Sequence, residues 1–295
     1  MKHWIPVISL LVVVLLPSLT RSQSHEWWAE NVNWDGITHW SRYITISPGN
    51  MGPNALPVPK LSTGAVQNQN YLGISSSLHL LSGDQTINPT LYGNYAFVKD
   101  KVSFDFHWVP VEFFKQSHTL KTERKVFHEY YDVMRASGDI YLNTRIQIMS
   151  RRKTNLGLRL GYKFATSNKI GAARFTDSPG YYFDLSAGYL LRKTIRSELR
   201  MLGMMGFYAW QTNKPHLLQD DAFLTGLGIR WTDSRVETEA SIRSYIGYMN
   251  NGDKPVIALL KSSYRLEKIS LSASIQQGLH DYKYTSFETG FYYYW

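Results

Sequence analysis

The chain has 295 residues, of which 43% are hydrophobic and 14% aromatic, and its formal net charge is +9. It contains no cysteine, which excludes a disulfide framework, a thiolate metal site and lipid attachment at a signal cleavage site. The basic charge favours anionic partners, and no nucleic-acid motif is present. The length suits one β-barrel, because a barrel grows by adding strands around its circumference.

The N-terminus has the pattern of a secretory signal peptide. Lys2 and His3 form a basic start, an apolar run follows at residues 8–16, and Ser22 and Ser24 are small residues suited to cleavage. The run is shorter than the ~20 residues that a membrane-spanning helix needs. We therefore expect residues 1–24 to be a signal peptide cleaved near Ser24, and the protein to be exported.

Residues 25–68 differ in composition from the rest of the chain. They contain four tryptophans, and the stretch from Ser47 to Pro59 contains four prolines. Proline disfavours a strand that forms ladder hydrogen bonds, whereas so many tryptophans argue against simple disorder. We expect an extended, turn-rich segment.

Residues 69–295 consist of stretches of about ten residues in which apolar and polar side chains alternate. In the stretch 155–165, for example, Leu158 and Leu160 lie on one predicted face, and Arg159 and Lys163 lie on the other. This alternation predicts twelve strands, near residues 70–80, 90–98, 102–113, 139–149, 155–165, 181–191, 195–210, 221–231, 236–248, 255–264, 269–277 and 285–295. Ten or fourteen strands remain open, because predicted boundaries shift by a few residues.

The connections between these strands alternate between tight turns and longer loops. Tight turns are predicted near residues 99–101, 151–154, 192–194, 232–235 and 265–268. Longer loops are predicted near residues 81–89, 115–138, 166–180, 211–220, 249–254 and 278–284. Such alternation is typical of a transmembrane antiparallel up-and-down β-barrel, with all its turns on one side of the membrane.

The last predicted strand has alternating apolar residues and a terminal aromatic residue. These are Phe287, Phe291, Tyr293 and Trp295, with Thr289 as a polar departure. With the signal peptide and the strand pattern, this ending resembles Gram-negative outer-membrane β-barrel proteins as a class. The resemblance implies an outer-membrane location, lipid and lipopolysaccharide as surroundings, and the four aromatic residues as a signal to the barrel-assembly machinery.

Three placements of residues 25–68 relative to the barrel fit the sequence. The segment could fold into the lumen as a plug, pack below the barrel as a periplasmic extension, or dock to an envelope protein partner. An extended, proline-rich chain suits all three.

The face opposite the apolar one predicts the lining of the lumen, and basic residues are in excess on it. The predicted lining residues are Asp105, Arg145, Arg159, Lys163, Asp184, Arg196, Glu198, Arg200, Arg230, Glu237, Glu239, Arg243, Lys261 and Arg265. They could simply neutralise one another, or they could line a hydrated path that prefers anions. We therefore expect a narrow channel or transporter for small, possibly anionic solutes. The alternative is a structural or accessory subunit of an envelope or secretion assembly.

Catalysis is the least supported function, and the sequence leaves the question of an enzyme open. Ser77 and His79 share a predicted face, which would suit a membrane-embedded hydrolase, and His216, Asp220 and Asp221 lie in a predicted loop. Two polar rim residues and a solvated loop are much the better explanation of these patterns. No cofactor or metal ligand set is predicted. The basic loop 115–125 is a candidate for contacts with lipopolysaccharide phosphates.

Overall fold

The computed structural model describes residues 26–127 and 133–295. The predicted signal peptide lies outside the described residues. Among the residues described, no helix is long and apolar enough to cross a membrane. The described residues include two short α-helices, α1 (Glu26–Val32) and α2 (His118–Glu123).

Fourteen β-strands make up most of the described chain. They are β1 (Tyr71–Leu81), β2 (Asp84–Val98), β3 (Val102–Trp108), β4 (Glu112–Gln116), β5 (Met134–Ala136), β6 (Ile140–Ser150), β7 (Thr154–Lys163), β8 (Gly180–Lys193), β9 (Ser197–Lys214), β10 (Leu217–Asp233), β11 (Val236–Gly247), β12 (Val256–Leu266), β13 (Ile269–His280) and β14 (Thr285–Tyr294). Each strand pairs antiparallel with its neighbours in the sheet.

The sheet closes into a barrel of twelve strands, as the sequence predicts. Strand β1 pairs with β2 on one side and with β14 on the other, so that Tyr71 faces both Asn94 and Tyr294. The short strands β4 and β5 extend the wall beyond β3, because β4 pairs with the start of β2. We call the mouth with the tight turns and both ends of the barrel the turn end, and the opposite mouth the loop end.

The outer face of the barrel is apolar and exposed, whereas the inner face is polar and buried. Leu160 is 47% exposed and Leu227 is 63% exposed, whereas Arg159 between the leucines of β7 is only 4% exposed. A bilayer removes the cost of exposing the apolar face, and closure leaves no unpaired strand edge in the lipid. The alternation of outward apolar and inward polar side chains therefore explains why these stretches form strands and why the sheet closes into a barrel.

Two predicted loops are wrong. Residues 84–89 belong to β2, which follows β1 after a turn at Ser82 and Gly83, and β9 and β10 continue to a turn at Pro215 and His216. In β2 the predicted pattern fails because polar residues occupy the inner face and Pro89 interrupts the outer one. Two loop-end connections are therefore as tight as the turns at the other mouth.

We expect a chain lacking residues 291–295 to remain unassembled. These residues of β14 pair with β1 on one side and with β13 on the other, so their loss breaks the closing seam at the turn end. Protease resistance and the heat-dependent mobility typical of folded barrels provide the measurement. Normal heat-dependent mobility of the shortened chain would contradict the role assigned to this seam.

Candidate functional site

Residues 26–68 pass through the lumen from the loop end to the turn end, and we call them the plug. Helix α1 lies at the loop end, where the Trp28 indole donates to the Lys125 carbonyl at 3.1 Å. Near the other mouth, the Asn94 amide donates to the Gln69 carbonyl at 2.8 Å, just before β1 begins. Of the three placements open from the sequence, the structure has the one inside the barrel.

The plug is held by an apolar cluster that it shares with the inner wall. Met51 and Ala55 are fully buried, and the cluster also takes in Tyr208, Trp210 and Tyr245 from the wall. Aromatic rings supply much of the apolar area that such a cluster buries. The other buried members from the plug are Ile44, Ile46, Leu56, Val58 and Leu61.

The backbone of the plug bonds to wall side chains and to a few backbone groups of the loops, rather than to a strand ladder. Tyr141 and Tyr245 donate their hydroxyls to the carbonyls of Ala55 and Leu56, at 3.3 and 2.9 Å. Gln147 accepts from Val66 N at 3.0 Å and donates to Gly64 O at 2.8 Å. The plug is therefore attached at separate points, each of which can break without unpairing a strand of the barrel.

Glycines let the plug touch the wall near the turn end. A Cβ on Gly188 would lie 2.3 Å from the Thr63 carbonyl oxygen, and one on Gly157 would lie 2.8 Å from that of Gly64. Gly64 itself has φ of +72°, which favours glycine. The plug can therefore pack against β7 and β8 only because Gly64, Gly157 and Gly188 have no side chain.

A buried charge network ties the loop end together. Asp84 accepts from Arg174 at 2.6 Å, from Arg124 at 2.9 Å and from the Tyr284 hydroxyl at 2.6 Å. Arg174 also donates to Glu112 at 2.8 Å. Alternation cannot reveal this network, because Arg124 and Arg174 come from loops.

Several predicted lining residues form ion pairs across neighbouring strands. The paired atoms are 2.5 Å apart in Arg145–Asp105 and 2.6 Å apart in Arg159–Asp184. Lys163 pairs at 2.6 Å with Asp139, which lies between β5 and β6. Buried charges need such partners, so these residues line the wall mainly as neutralised pairs.

Towards the turn end the predicted residues are less enclosed. Arg230 lies 2.7 Å from Glu239 and 3.5 Å from Glu237, and Arg200 lies 3.0 Å from Glu198. Arg196 does not line the lumen, because it lies exposed in the turn between β8 and β9, one residue before the strand that it was assigned to.

The unusual member of the predicted set is Arg243. It is buried, and its Nη2 donates to Gln276 at 3.2 Å, whereas its Nε and Nη1 have no hydrogen-bond partner within the described part of the chain. The register places Ile257 beside it on β12. Among the residues that the structure describes, Arg243 therefore has no ion-pair partner within 4 Å.

A cavity of about 660 Å³ lies at the turn end between the plug and the wall, and we call it the vestibule. Seven basic and three acidic side chains line it: Lys60, Arg145, Arg159, Arg230, Arg235, Lys261, Arg265, Asp105, Asp233 and Glu237. Tyrosines cover much of the remaining wall, and the ammonium of Lys261 lies 5.5 Å from the ring of Tyr292.

Four of the basic residues in the vestibule have no carboxylate within 4 Å among the described residues: Lys60, Arg235, Lys261 and Arg265. Lys60 instead donates to the Tyr92 hydroxyl at 3.1 Å, and Arg265 donates to Gln69 at 2.6 Å. Lys60 belongs to the plug, which sequence parity within the strands could not include. The lining of the vestibule therefore carries an excess of positive charge.

The candidate hydrolase pair does not form. Ser77 donates to Glu288 at 3.3 Å, whereas His79 contacts Ser286 at 2.7 Å and Asn88 at 3.1 Å. The segment 115–125, predicted as a basic loop, contains the end of β4 and helix α2, and its Arg124 is buried against Asp84. The four C-terminal aromatic residues lie on the lipid-facing side, each more than 40% exposed.

No protein-family model matches the sequence, and no curated protein is significantly similar to it. Among solved structures, an outer-membrane channel from Pseudomonas putida F1 is similar, with a TM-score of 0.55 and 11% identity over 81% of this chain and 100% of that chain. The KdgM porin has a TM-score of 0.45 and 8% identity, over 75% and 98%. At these identities the likeness concerns the fold.

The closed twelve-strand wall, its apolar outer band and the likeness of its fold to that of the Pseudomonas putida channel define the class of protein. The chain is an outer-membrane β-barrel whose lumen contains its own N-terminal segment.

Proposed function

We propose that the protein is a channel for small anionic solutes, and that the plug controls passage through it. The observation that carries the proposal is the electropositive vestibule, which opens at the turn end and ends against the plug. Charged side chains that line a pore set its selectivity, and a basic excess favours anions. Twelve strands enclose a lumen between that of small filled barrels and that of wide porins.

The attachment of the plug supports a removable obstruction. It has no strand ladder with the wall, and side chains such as Tyr245 and Gln147 hold it at separate points. The wall closes through β1 and β14 without it. We therefore expect the barrel to persist when the plug is absent.

Conductance in planar bilayers tests the obstruction. The full chain should conduct weakly, and a chain lacking residues 26–59 should conduct several-fold more, because removing the plug empties the lumen between the vestibule and the loop end. Heat-dependent mobility confirms that the shortened chain has assembled. If both proteins are electrically silent, the channel proposal is wrong.

Reversal potentials in a KCl gradient test the selectivity. Reversing the charge in Lys261→Glu should shift the shortened channel from anion towards cation preference, because no carboxylate of the described residues lies within 4 Å of the Lys261 ammonium. Lys268→Glu is the matched control, since Lys268 lies exposed in the turn between β12 and β13 and outside the vestibule lining. Equal shifts in the two variants would refute the assignment of selectivity to the vestibule.

A further inference from the structure

Two carboxylates at the loop end are fully buried without a basic partner. Asp220 lies near the start of β10, and Asp253 lies in the loop between β11 and β12; both have 0% exposure. The two side chains meet at consecutive backbone amides, because Asp220 accepts from Tyr248 N at 3.4 Å and Asp253 accepts from Met249 N at 2.7 Å. Within residues 26–127 and 133–295, no Lys, Arg or His nitrogen lies within 4 Å of either carboxylate.

Three acceptor oxygens at this place have no donor among the residues that the structure describes. Asp253 uses one oxygen to accept from Met249 N at 2.7 Å and Asn250 N at 3.1 Å, whereas its Oδ1 has no partner. The Oδ2 of Asp220 is likewise buried without a partner. In the same loop, the buried Oδ1 atom of Asn251 also has no donor.

Buried anionic oxygens without donors are costly, and protein interiors rarely leave them so. Adjacent carboxylates can share a proton, or they can bind a cation that neutralises both. The second solution also uses amide oxygens, because Ca²⁺ takes oxygen ligands from carboxylates, carbonyls and water. A shared proton would leave one buried negative charge without a counter-ion, whereas a divalent cation neutralises both carboxylates, so the cation is the better solution here.

We propose that Asp220 and Asp253, with oxygens of the loop 248–253, bind a divalent cation of the Ca²⁺ type. The sequence analysis does not predict this metal site. The described residues contain no group of three or more histidine, cysteine or acidic side chains that could hold a metal ion, and the proposed site has only two carboxylates. With water completing the ligand shell, its affinity should resemble that of exposed extracellular modules, at about 10⁻⁴–10⁻³ M.

The position of the site gives the cation a structural consequence. The loop that carries Asp253 also holds the plug, because Gly49 N donates to Gly252 O at 2.9 Å. Ser47 and Asn50 donate to the Asn251 carbonyl, each at 2.9 Å. A cation that fixes this loop against β10 therefore also fixes the attachment of the plug at the loop end.

Terbium luminescence tests the site directly, on the full chain refolded from denaturant into detergent and treated with EDTA, so that no lipopolysaccharide carries cations. Trp210 is buried and pairs with Asp220 in register, close enough to sensitise bound Tb³⁺. We expect a saturable signal that Ca²⁺ displaces. Asp220→Asn and Asp253→Asn should each weaken binding at least tenfold, since each removes one of two carboxylates.

Asp221→Asn is the matched control, because Asp221 is only partly buried and accepts from Gln219. It should bind Tb³⁺ like the original chain. Absence of a Ca²⁺-displaceable signal in the original chain, or an equal signal in all three variants, would overturn the proposal.

A second measurement needs no substitution. Protease cleavage within residues 248–254 of the original chain should slow when Ca²⁺ replaces EDTA, because the cation fixes this loop. Equal cleavage rates in Ca²⁺ and in EDTA would count against the site, even if an aspartate variant did not assemble. Neither measurement depends on conductance, so the outcome is independent of the channel proposal.

Discussion

The free energy of unfolding is expected to fall by about 3–5 kcal/mol when Arg174 is replaced by methionine. Arg174 is fully buried and donates to Asp84, Glu112 and Thr86, at 2.6 to 2.8 Å. Methionine retains much of the apolar volume but leaves the Glu112 carboxylate without its ion-pair partner. Removing one member of a buried charge pair costs far more than the net value of the pair.

Urea titration in detergent, followed by heat-dependent mobility, measures this effect. Arg196→Met is the matched control, because Arg196 lies exposed in a turn, and we expect its unfolding free energy to change by less than about 0.5 kcal/mol. A loss below 1 kcal/mol in Arg174→Met would mean that Arg124 alone neutralises Asp84 and that Glu112 tolerates its loss.

The second large effect should arise from Gly188→Val, which should displace the plug while leaving the barrel closed. The new Cβ would lie 2.3 Å from the Thr63 carbonyl oxygen, and a backbone atom cannot rotate away. Valine itself suits β8. Overpacking costs about 1–3 kcal/mol. The segment of the plug near Thr63 should therefore detach from the wall at least roughly tenfold more often.

Cysteine labelling can follow this opening, because the chain has no cysteine of its own. Val66 is buried in the plug three residues from Thr63, and Val66→Cys provides a single thiol there. Its labelling by a water-soluble maleimide should be roughly tenfold faster in the Gly188→Val background.

Gly203→Val is the control for strand substitution. A Cβ on Gly203 would meet only the tip of Leu227, at 3.9 Å, so labelling of Cys at position 66 should not change. Equal labelling rates in the two valine backgrounds would show that the plug adapts to the added side chain without leaving the wall.

Sequence alternation predicts the wall well, because a lipid-facing strand must alternate over its whole length. The alternation of Leu158, Arg159 and Leu160 therefore predicts that they form a strand, which face of the wall each side chain lies on, and their approximate height in the membrane. It fails in β2, where Asp84, Thr86 and Asn88 turn inward and the outer face is interrupted by Pro89. In this part of β2 the inward side chains serve the polar contacts of the lumen, and the strand therefore lacks a regular alternation of apolar and polar residues.

The arrangement inside the lumen was much less predictable. Inward parity identified Arg159 and Asp184, and their pairing followed from neighbouring strands. The loop-end network was missed, since Arg124 and Arg174 lie in loops that carry no periodicity. The path of the plug was equally open, because its contacts, such as Tyr245 with Leu56, join residues far apart in the sequence and repeat at no fixed interval.

The plug also changes which side each end of the described chain occupies. An even number of strands returns a chain to the mouth from which it started, but the passage of residues 44–61 through the lumen adds one further crossing. Glu26 therefore lies at one mouth and Trp295 at the other. Reporter groups fused before Glu26 and after Trp295 should therefore lie on opposite sides of the membrane. If the whole plug leaves the lumen through the turn end, the first reporter should move to the side of the second, whereas the second should stay where it is.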